Sequence, residues 1–257
     1  MEIQRIILNM SNPELVNHVE ESDGMFVVGT WNAEWATAKS RVGKRIQQII
    51  EKLVPDIFVL TEGCADLLPS DGYVIDGGTD WGYSLIKPSH RKVIAWSRNP
   101  WTEVDQIGSS NLPPGRFVAG TTMTRLGSVR VMGVCIPWQS AHTNTGNKNR
   151  TSWEDHETYL AHLSPLLVTD SVPLVVAGDF NQRIPRGRQP IRVFEALQQT
   201  LSGLIVSTTL TDAPALIDHV VHSSSLHSQN LQIIPAEDQD GKLSDHRGAV
   251  VELTRTI

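Results

Sequence analysis

The chain has 257 residues, with 22 Lys and Arg against 28 Asp and Glu for a net charge of −6, and 40% of its residues are hydrophobic. This composition is typical of a soluble globular protein, and the length suits a single β-rich domain over residues 1–257. The acidic balance argues against a protein that coats nucleic acid through its net charge.

Other features of the sequence exclude membrane-spanning, disulfide-rich and zinc-ribbon proteins. No apolar run reaches the roughly 20 residues that cross a bilayer, and the N-terminus lacks a signal-peptide pattern. Cys64 and Cys135 are too few for a disulfide framework and lack the spacing of a zinc site. We therefore expect a cytoplasmic protein.

The first half of the chain predicts strands around one helix. Residues 25–32 (MFVVGTWN) run apolar like a buried strand, and residues 37–54 place apolar side chains on one face of a helix that Pro55 ends. Residues 56–63 (DIFVLTEG) predict a strand buried on both sides that carries a glutamate near its end. Within residues 72–130 the short runs YVID, YSLIK, KVIAWS and RFVAGTTMT predict successive antiparallel strands.

The second half of the chain alternates predicted strands with predicted helices. These elements are a strand at 128–138, a helix at 151–167, a strand at 172–180, a helix at 190–201, and strands at 215–223 and 248–254. Many strands with interspersed helices predict mixed α/β layers in which one sheet packs on another.

Polar residues of one chemical kind recur where these apolar strands stop. They are Asn32 and Glu34, Glu62, Asp179 and Asn181, Asp218, and Asp245 with His246. Any one of them alone is more simply a turn or strand-end residue. Together they suit a hard cation such as Mg²⁺, for which Glu62, Asp245 and Asn32 offer oxygen ligands. The lack of thiolate or His-rich spacing disfavours zinc.

Five segments of the sequence carry these polar residues in a fixed order. They are TWNAE at 30–34, LTEG at 60–63, GDFNQRIP at 178–185, LIDHV at 216–220 and SDHRGAVVE at 244–252. In this order they resemble the motifs of the endonuclease/exonuclease/phosphatase superfamily over about residues 25–254. The resemblance implies an α/β fold, a four-layer α/β/β/α sandwich of two mainly antiparallel sheets flanked by helices. It also implies hydrolysis of a phosphoester with a divalent metal.

The resemblance implies a metal site and a set of reacting groups. Glu62 is the principal metal carboxylate, with Asn32 and Asp245 close to the same Mg²⁺ or Mn²⁺ ion. The residue types agree with this chemistry, because in-line displacement at phosphorus requires an oriented water and neutralised phosphate oxygens.

Four further residues match the catalytic positions of the family. Asp218 fixes the ring of His246, which contacts the phosphate or the attacking water. Asp179 orients or deprotonates that water, and Asn181 donates a hydrogen bond to the phosphate or to the nucleophile. An aspartate beside a histidine fixes the tautomer of the ring and raises its basicity.

Two positions depart from the family pattern. Family nucleases usually carry a His or Tyr on the strand before GDFN, where this chain has Cys135, with Trp138 in place of a common Asn. The contact that this His or Tyr makes is lost in this chain, is made by His142 or is replaced by the metal. Cys135, taken alone, is more simply a small buried hydrophobic residue. Glu34 stands where apurinic endonuclease-like members tend to have Asp, so its part in metal binding stays open.

Basic residues cluster after the GDFN segment. Residues 181–192 contain four arginines and no acid. Guanidinium groups match phosphate oxygens, so Arg183, Arg186 and Arg188 are candidate substrate contacts, with a solvated loop as the alternative. The seven tryptophans include candidates for a base-stacking platform, although tryptophans in strands belong more often to the core.

The sequence thus predicts a metal-dependent phosphoesterase, with cleavage of phosphodiester bonds in nucleic acid as its leading activity. The alternative is a phosphatase or phosphodiesterase acting on a small phosphorylated lipid, inositol or nucleotide, for which the charge of −6 is no obstacle. A noncatalytic binding module is disfavoured because the metal and catalytic positions of the family are occupied by matching residues.

Overall fold

The computed structural model describes residues 24–82, 87–168, 172–209 and 216–256. Residues 1–23 of the predicted domain and most of the predicted YSLIK strand lie outside these ranges. The helices are α1 (Arg41–Leu53), α2 (Glu154–Leu163) and α3 (Ile191–Thr200). The strands are β1 (Met25–Asn32), β2 (Ile57–Cys64), β3 (Tyr73–Asp76), β4 (His90–Ser97), β5 (Trp101–Asp105), β6 (Phe117–Thr124), β7 (Gly127–Cys135), β8 (Leu174–Asp179), β9 (Leu204–Val206), β10 (Asp218–Ser223), β11 (Leu226–Ile234), β12 (Glu237–Asp238), β13 (Gly241–Lys242) and β14 (Gly248–Arg255).

Local sequence signals explain where helix α1 begins and ends. The Ser40 hydroxyl accepts a hydrogen bond from the Gly43 backbone N–H at 2.9 Å, so the helix starts four residues later than the apolar pattern alone predicts. Val54 adopts a left-handed conformation at the C-cap, and Pro55 follows it. The helix turns Ile46 and Ile50 toward the sheet, as its 3.6-residue period predicts.

Two six-stranded sheets form the centre of the fold. The first has the order β11-β14-β1-β2-β4-β3, and the second has the order β5-β6-β7-β8-β10-β9. Only the β1–β2 and β7–β8 pairs are parallel among the described strand pairs of these sheets. The predicted mainly antiparallel sheets are therefore confirmed, whereas the sequence does not predict the edge strand β11.

Three apolar clusters define the layers. Side chains such as Val28, Val59 and Val175 fill the space between the two sheets. A second cluster joins the outer face of the β7–β8–β10 region to α2 and α3, and a third joins the outer face of the β1–β2–β4 region to α1. The predicted four-layer α/β/β/α sandwich is confirmed. Burial of apolar side chains at the three interfaces between its layers stabilises the fold.

Strand direction brings the polar strand ends to one edge of the sandwich. In the first sheet β1 and β2 run parallel and end together, and the antiparallel β14 starts beside them, with Thr30 opposite Ala249. In the second sheet β8 ends where the antiparallel β10 begins, with Asp179 directly opposite Asp218. Residues far apart in the sequence are thereby placed in one cavity.

Candidate active site

A cavity of about 230 Å³ opens at this edge of the two sheets. Six residues that the sequence predicts for the site line it: Asn32, Glu62, Asp179, Asn181, Asp245 and His246. The lining also includes Lys92, Arg116, Trp138, Ala141, His142 and Thr145. The structure thus brings the predicted metal and catalytic residues together, and it adds two cations that the sequence did not single out.

Asp218 and His246 form the predicted dyad. The Asp218 Oδ2 atom lies 2.6 Å from Nδ1 of His246, and the Asp218 side chain is fully buried behind the ring. Burial opposes the charged imidazolium, but the hydrogen bond and charge of Asp218, with Asp179 and Asp245 nearby, outweigh burial and raise the pKa of His246 to about 10. Burial also raises the pKa of Asp218, against the hydrogen bond from His246. The contact favours the protonated ring, whose Nε2 lies 3.8 Å from Oδ1 of Asp245.

Asp179 lies at the end of β8 and accepts hydrogen bonds from amide groups. The Asn181 backbone N–H donates to Oδ1 at 2.9 Å, while Nδ2 of Asn181 and Nδ2 of Asn32 donate to Oδ2 at 2.9 and 3.2 Å. Burial, reinforced by the charge of Asp218, raises the pKa of Asp179 to about 7. A carboxylate with a pKa near neutrality is suited to accept a proton from water.

The backbone at the site is held in conformations that few residues adopt. Glu62 has φ 47° and Asn181 has φ 51°, and such positions cost about 1–3 kcal/mol each outside glycine. Gly178 has φ 139°, and a Cβ there would lie 2.0 Å from the Val134 carbonyl oxygen. The Gly-Asp-Phe-Asn segment therefore requires its glycine, because β7 and β8 approach too closely for any side chain.

Glu62 is paired with a lysine that the sequence analysis missed. The Lys92 ammonium lies 2.7 Å from Oε1 of Glu62, and its side chain is almost fully buried. It also lies over the rings of Trp35 and Trp81, at 4.6 and 5.6 Å from their centroids. The only sequence signal is a lysine at the start of the apolar KVIAWS run, and its position opposite Glu62 follows from the β2–β4 register.

Among the described residues, one group of acidic and histidine side chains has ligand atoms close enough to hold a cation. Ligand atoms of Asp179, Asp218 and His246 all lie within 4.8 Å of one another, but these buried groups are already hydrogen-bonded to protein groups. Glu62 and Asp245 face the same cavity with side chains 24% and 57% exposed, which leaves room for the water ligands that Mg²⁺ retains. The three residues predicted to bind the metal, Glu62, Asp245 and Asn32, thus line one cavity and carry the oxygen atoms that Mg²⁺ prefers.

Arg116 is the second cation that sequence reasoning missed. It precedes β6 and is 6% exposed. Its guanidinium donates to the Cys135 carbonyl oxygen at 3.1 Å and lies 3.7 Å from the Cys135 Sγ. These partners are uncharged, so Arg116 adds positive charge to a cavity that Glu62, Asp179 and Asp245 also line. Such a charge suits the binding of a phosphate oxygen.

The structure also shows where the departures from the family pattern lie. Cys135 is buried in the core between the sheets, and burial raises the pKa of its thiol to about 12, so it serves packing. Trp138 and His142 line the cavity, and His142 Nδ1 lies 3.6 Å from Asp155 Oδ2. Glu34 pairs instead with Lys242 at 2.6 Å.

The arginine-rich segment divides into residues that line a groove and residues with other partners. Arg183 and Arg188 line a groove of about 550 Å³ next to the cavity. Arg186 donates to the Gln189 carbonyl oxygen at 2.9 Å, and Arg192 pairs with Glu157. The sequence does not distinguish the four arginines. In the fold, Arg183 and Arg188 line the groove, whereas Arg186 and Arg192 bind other protein groups.

Two buried histidines hold the loop after Asn181. His156 donates from Nδ1 to the Pro137 carbonyl oxygen at 2.7 Å, and its Nε2 accepts from Nε2 of Gln182 at 2.8 Å. His219 contacts the Gln182 carbonyl oxygen through Nε2 at 2.9 Å, with Thr208 at its Nδ1. Burial lowers the pKa of both rings to about 4, so both are neutral at pH 7.

We expect acid to weaken the fold through these rings. Between pH 6.5 and 4 the unfolded His219 binds a proton that the folded ring does not, so the free energy of unfolding falls as the pH falls. Urea unfolding of wild type and His219→Gln across this range should show a pH slope smaller by up to about 1.4 kcal/mol per pH unit in the variant. Equal slopes in wild type and variant would show that the folded His219 ring takes up its proton over the same pH range as the unfolded one, against the lowered pKa.

Comparisons with known proteins identify the family of this chain. A sequence profile of the Endonuclease/Exonuclease/phosphatase family matches residues 29–246. The chain belongs to the endonuclease/exonuclease/phosphatase family. Members of this family are metal-dependent phosphoester hydrolases, and the chain is an enzyme of this class. A search of curated proteins finds no match.

Solved structures share the family fold. An endonuclease/exonuclease/phosphatase protein from Beutenbergia cavernae is 20% identical with a TM-score of 0.64, covering 90% of this chain and 72% of its own. The 3′ phosphatase NExo from Neisseria, bound to a product DNA hairpin, is 18% identical with a TM-score of 0.64, covering 88% and 98%. TDP2 from D. rerio, complexed with single-strand DNA product, is 11% identical with a TM-score of 0.64, covering 90% of this chain and 100% of its own.

The helices of the described residues are too short or too polar to span a bilayer.

Proposed function

We propose that this family member is a nuclease that hydrolyses phosphodiester bonds in nucleic acid with the help of Mg²⁺ or Mn²⁺. The proposal rests on one observation: the catalytic cavity and the neighbouring groove share lining residues. Asn181 and Trp138 line both the catalytic cavity and the groove that contains Arg183 and Arg188. A polymer of phosphates fits such an extended site, and two of the similar structures contain DNA products.

We assign metal binding to Glu62, Asp245 and Asn32, which line the same cavity and have side-chain oxygen atoms. When bound there, a divalent cation would supply positive charge to the phosphate oxygens and to the leaving oxygen. The Lys92 ammonium contacts Oε1 of Glu62, so Oε2 is the oxygen that we propose would bind the metal.

The chain's own residues orient the water and stabilise the phosphate. The amide groups of Asn181 and Asn32 hold the Asp179 carboxylate in place. Asp179 accepts a proton from the attacking water. The imidazolium of His246 donates from Nε2 to a phosphate oxygen, while Asp218 fixes the ring through Nδ1. Arg116 contributes a further positive charge to the cavity lining. These groups stabilise the charge that builds up during in-line displacement.

A substrate panel tests this function most directly. Plasmid, abasic duplex, single-stranded DNA, RNA, inositol phosphates and a chromogenic diester are each assayed with Mg²⁺, Mn²⁺ and EDTA. We expect metal-dependent cleavage of at least one nucleic acid and weak hydrolysis of inositol phosphates. Hydrolysis confined to inositol phosphates or other small phosphoesters would contradict the nuclease and favour the small-substrate alternative.

The arginine groove supplies a second test. The Arg183→Ala/Arg188→Ala variant should bind polynucleotide more weakly, with the slope of log K against log salt shallower by roughly 0.7 to 0.9 per lost phosphate contact. Turnover of a short chromogenic diester should barely change. The matched control is Arg192→Ala, because Arg192 pairs with Glu157. Absence of salt dependence in the wild type would contradict a polynucleotide substrate.

A further inference from the structure

The groove beside the catalytic cavity combines aromatic, polar and cationic side chains. Its lining includes Trp138, Gln139, Trp153, Arg183 and Arg188, and it shares Trp138 and Asn181 with the cavity. A group bound in the groove therefore lies next to a phosphate bound at Asn181. Trp153 packs edge-on against the buried His156, with 5.1 Å between ring centroids, so Trp138 is the aromatic side chain of the groove whose role is still open.

Trp138 is exposed on a backbone that is fixed at several points. Its side chain is 42% exposed, although tryptophan is usually more buried. The preceding Pro137 carbonyl accepts from the buried His156, and the Trp138 carbonyl accepts from the Ala141 N–H at 3.0 Å. The Gln139 carbonyl accepts from the Trp153 N–H at 2.8 Å. An exposed aromatic ring on such an ordered turn is prepared to bind a ligand at little entropic cost.

The same buried network ties this turn to the catalytic loop. Gln182 follows Asn181 directly, and its Nε2 donates both to His156 Nε2 at 2.8 Å and to the Val193 carbonyl at 3.0 Å. His156 in turn holds Pro137. The spacing between Trp138 and Asn181 is thereby set by hydrogen bonds in the protein interior. A ligand that spans both residues meets a preformed site.

We propose that the groove is a nucleoside-binding subsite in which a base adjacent to the reacting phosphate stacks on the indole of Trp138. The inference rests on the proposed nuclease function. A base has a flat π-face that an indole can stack on, whereas an inositol ring does not. Arg183 and Arg188 in the same groove suit the next phosphate along the strand. The occupant is one nucleoside of the polynucleotide substrate.

Dinucleotide substrates test the subsite without ambiguity of register, because each contains one diester bond. We compare kcat/KM for a dinucleotide with both bases and for two analogues, each lacking one base. Removal of the base that occupies the groove should lower kcat/KM by about 5- to 100-fold. Removal of the other base should have a much smaller effect.

Variants of Trp138 identify the residue responsible. Trp138→Ala should lower kcat/KM for the complete dinucleotide by a similar factor and abolish the difference between complete and abasic substrates. Trp138→Phe should retain most of the difference, since phenylalanine keeps an aromatic face. Ile205→Ala is the control for loss of an exposed hydrophobic side chain of the same 42% exposure, on β9.

A binding measurement complements the kinetics. In the inactive His246→Ala background, a short single-stranded oligonucleotide should quench tryptophan fluorescence, and adding Trp138→Phe should remove most of that quenching. Equal kcat/KM for complete and abasic dinucleotides, or base discrimination that survives Trp138→Ala, would overturn the subsite and leave the nuclease intact. No hydrolysis of any nucleotide diester and no fluorescence change would overturn both.

Discussion

Replacing His246 by alanine, or Asp179 by asparagine, should lower kcat by about 10²- to 10⁴-fold while the protein stays folded. In the proposed mechanism, His246→Ala removes the cation that faces the phosphate, and Asp179→Asn removes the proton acceptor held by Asn181 and Asn32. Single-turnover kinetics measure the loss, and far-ultraviolet circular dichroism with thermal unfolding checks the fold. His227→Ala, at an exposed position of β11, is the matched control for histidine replacement.

The double variant distinguishes a concerted site from independent groups. Ligand atoms of Asp179 and His246 lie within 4.8 Å of one another, and the proposed mechanism has both groups act on one phosphate and its attacking water. We expect the double variant to be little slower than the slower single variant. A loss equal to the product of the two single losses would show that the groups act independently.

Asp218→Asn separates orientation from direct chemistry. Its Oδ2 bonds to His246 Nδ1 at 2.6 Å, and the side chain is buried behind the ring. The variant keeps the ring and disturbs its orientation and charge, so its loss in kcat should be smaller than that of His246→Ala. A greater loss in Asp218→Asn would assign Asp218 a direct part in the reaction.

Glu62→Gln should nearly abolish activity at low Mg²⁺, because the amide keeps the shape and removes the charge that holds the cation. Calorimetric titration with Mn²⁺ gives a readout that is independent of turnover, and we expect weaker binding in the variant. Glu51→Gln, on the exposed face of α1, is the control for a lost surface carboxylate. Full activity of wild type in EDTA, or of Glu62→Gln at low Mg²⁺, would contradict the metal assignment.

Because Lys92 is paired with Glu62, the metal-binding experiment needs a second variant. The Lys92 ammonium lies 2.7 Å from Glu62, so Glu62→Gln also leaves a buried cation without its carboxylate and is expected to lower thermal stability. Asp245→Asn tests the same metal site at a side chain that is 57% exposed, where stability should be little affected. Weaker Mn²⁺ binding in both variants, with stability lost only in Glu62→Gln, separates metal binding from folding.

The sequence by itself determined the fold class and most of the acidic side of the site. Apolar runs such as MFVVGTWN and VPLVVAGDF, and the 3.6-residue period of α1, are local patterns whose physical cause is burial of one face. Asn32, Glu62 and Asp179 follow or end such runs, and the order of their motifs indicates the family. Edge strand β11 escaped prediction because polar residues interrupt its apolar pattern.

Tertiary structure decided which charges reach the site. Lys92 faces Glu62 only because β2 and β4 pair in one particular register, and Arg116 enters the cavity only because β6 begins where β7 ends. Arg186 is engaged by the Gln189 carbonyl, whereas Arg188 lines the groove two residues away. Sequence patterns report the local balance of burial and backbone preference. Strand register and packing between distant segments set the partner of each charge, and these depend on the whole fold.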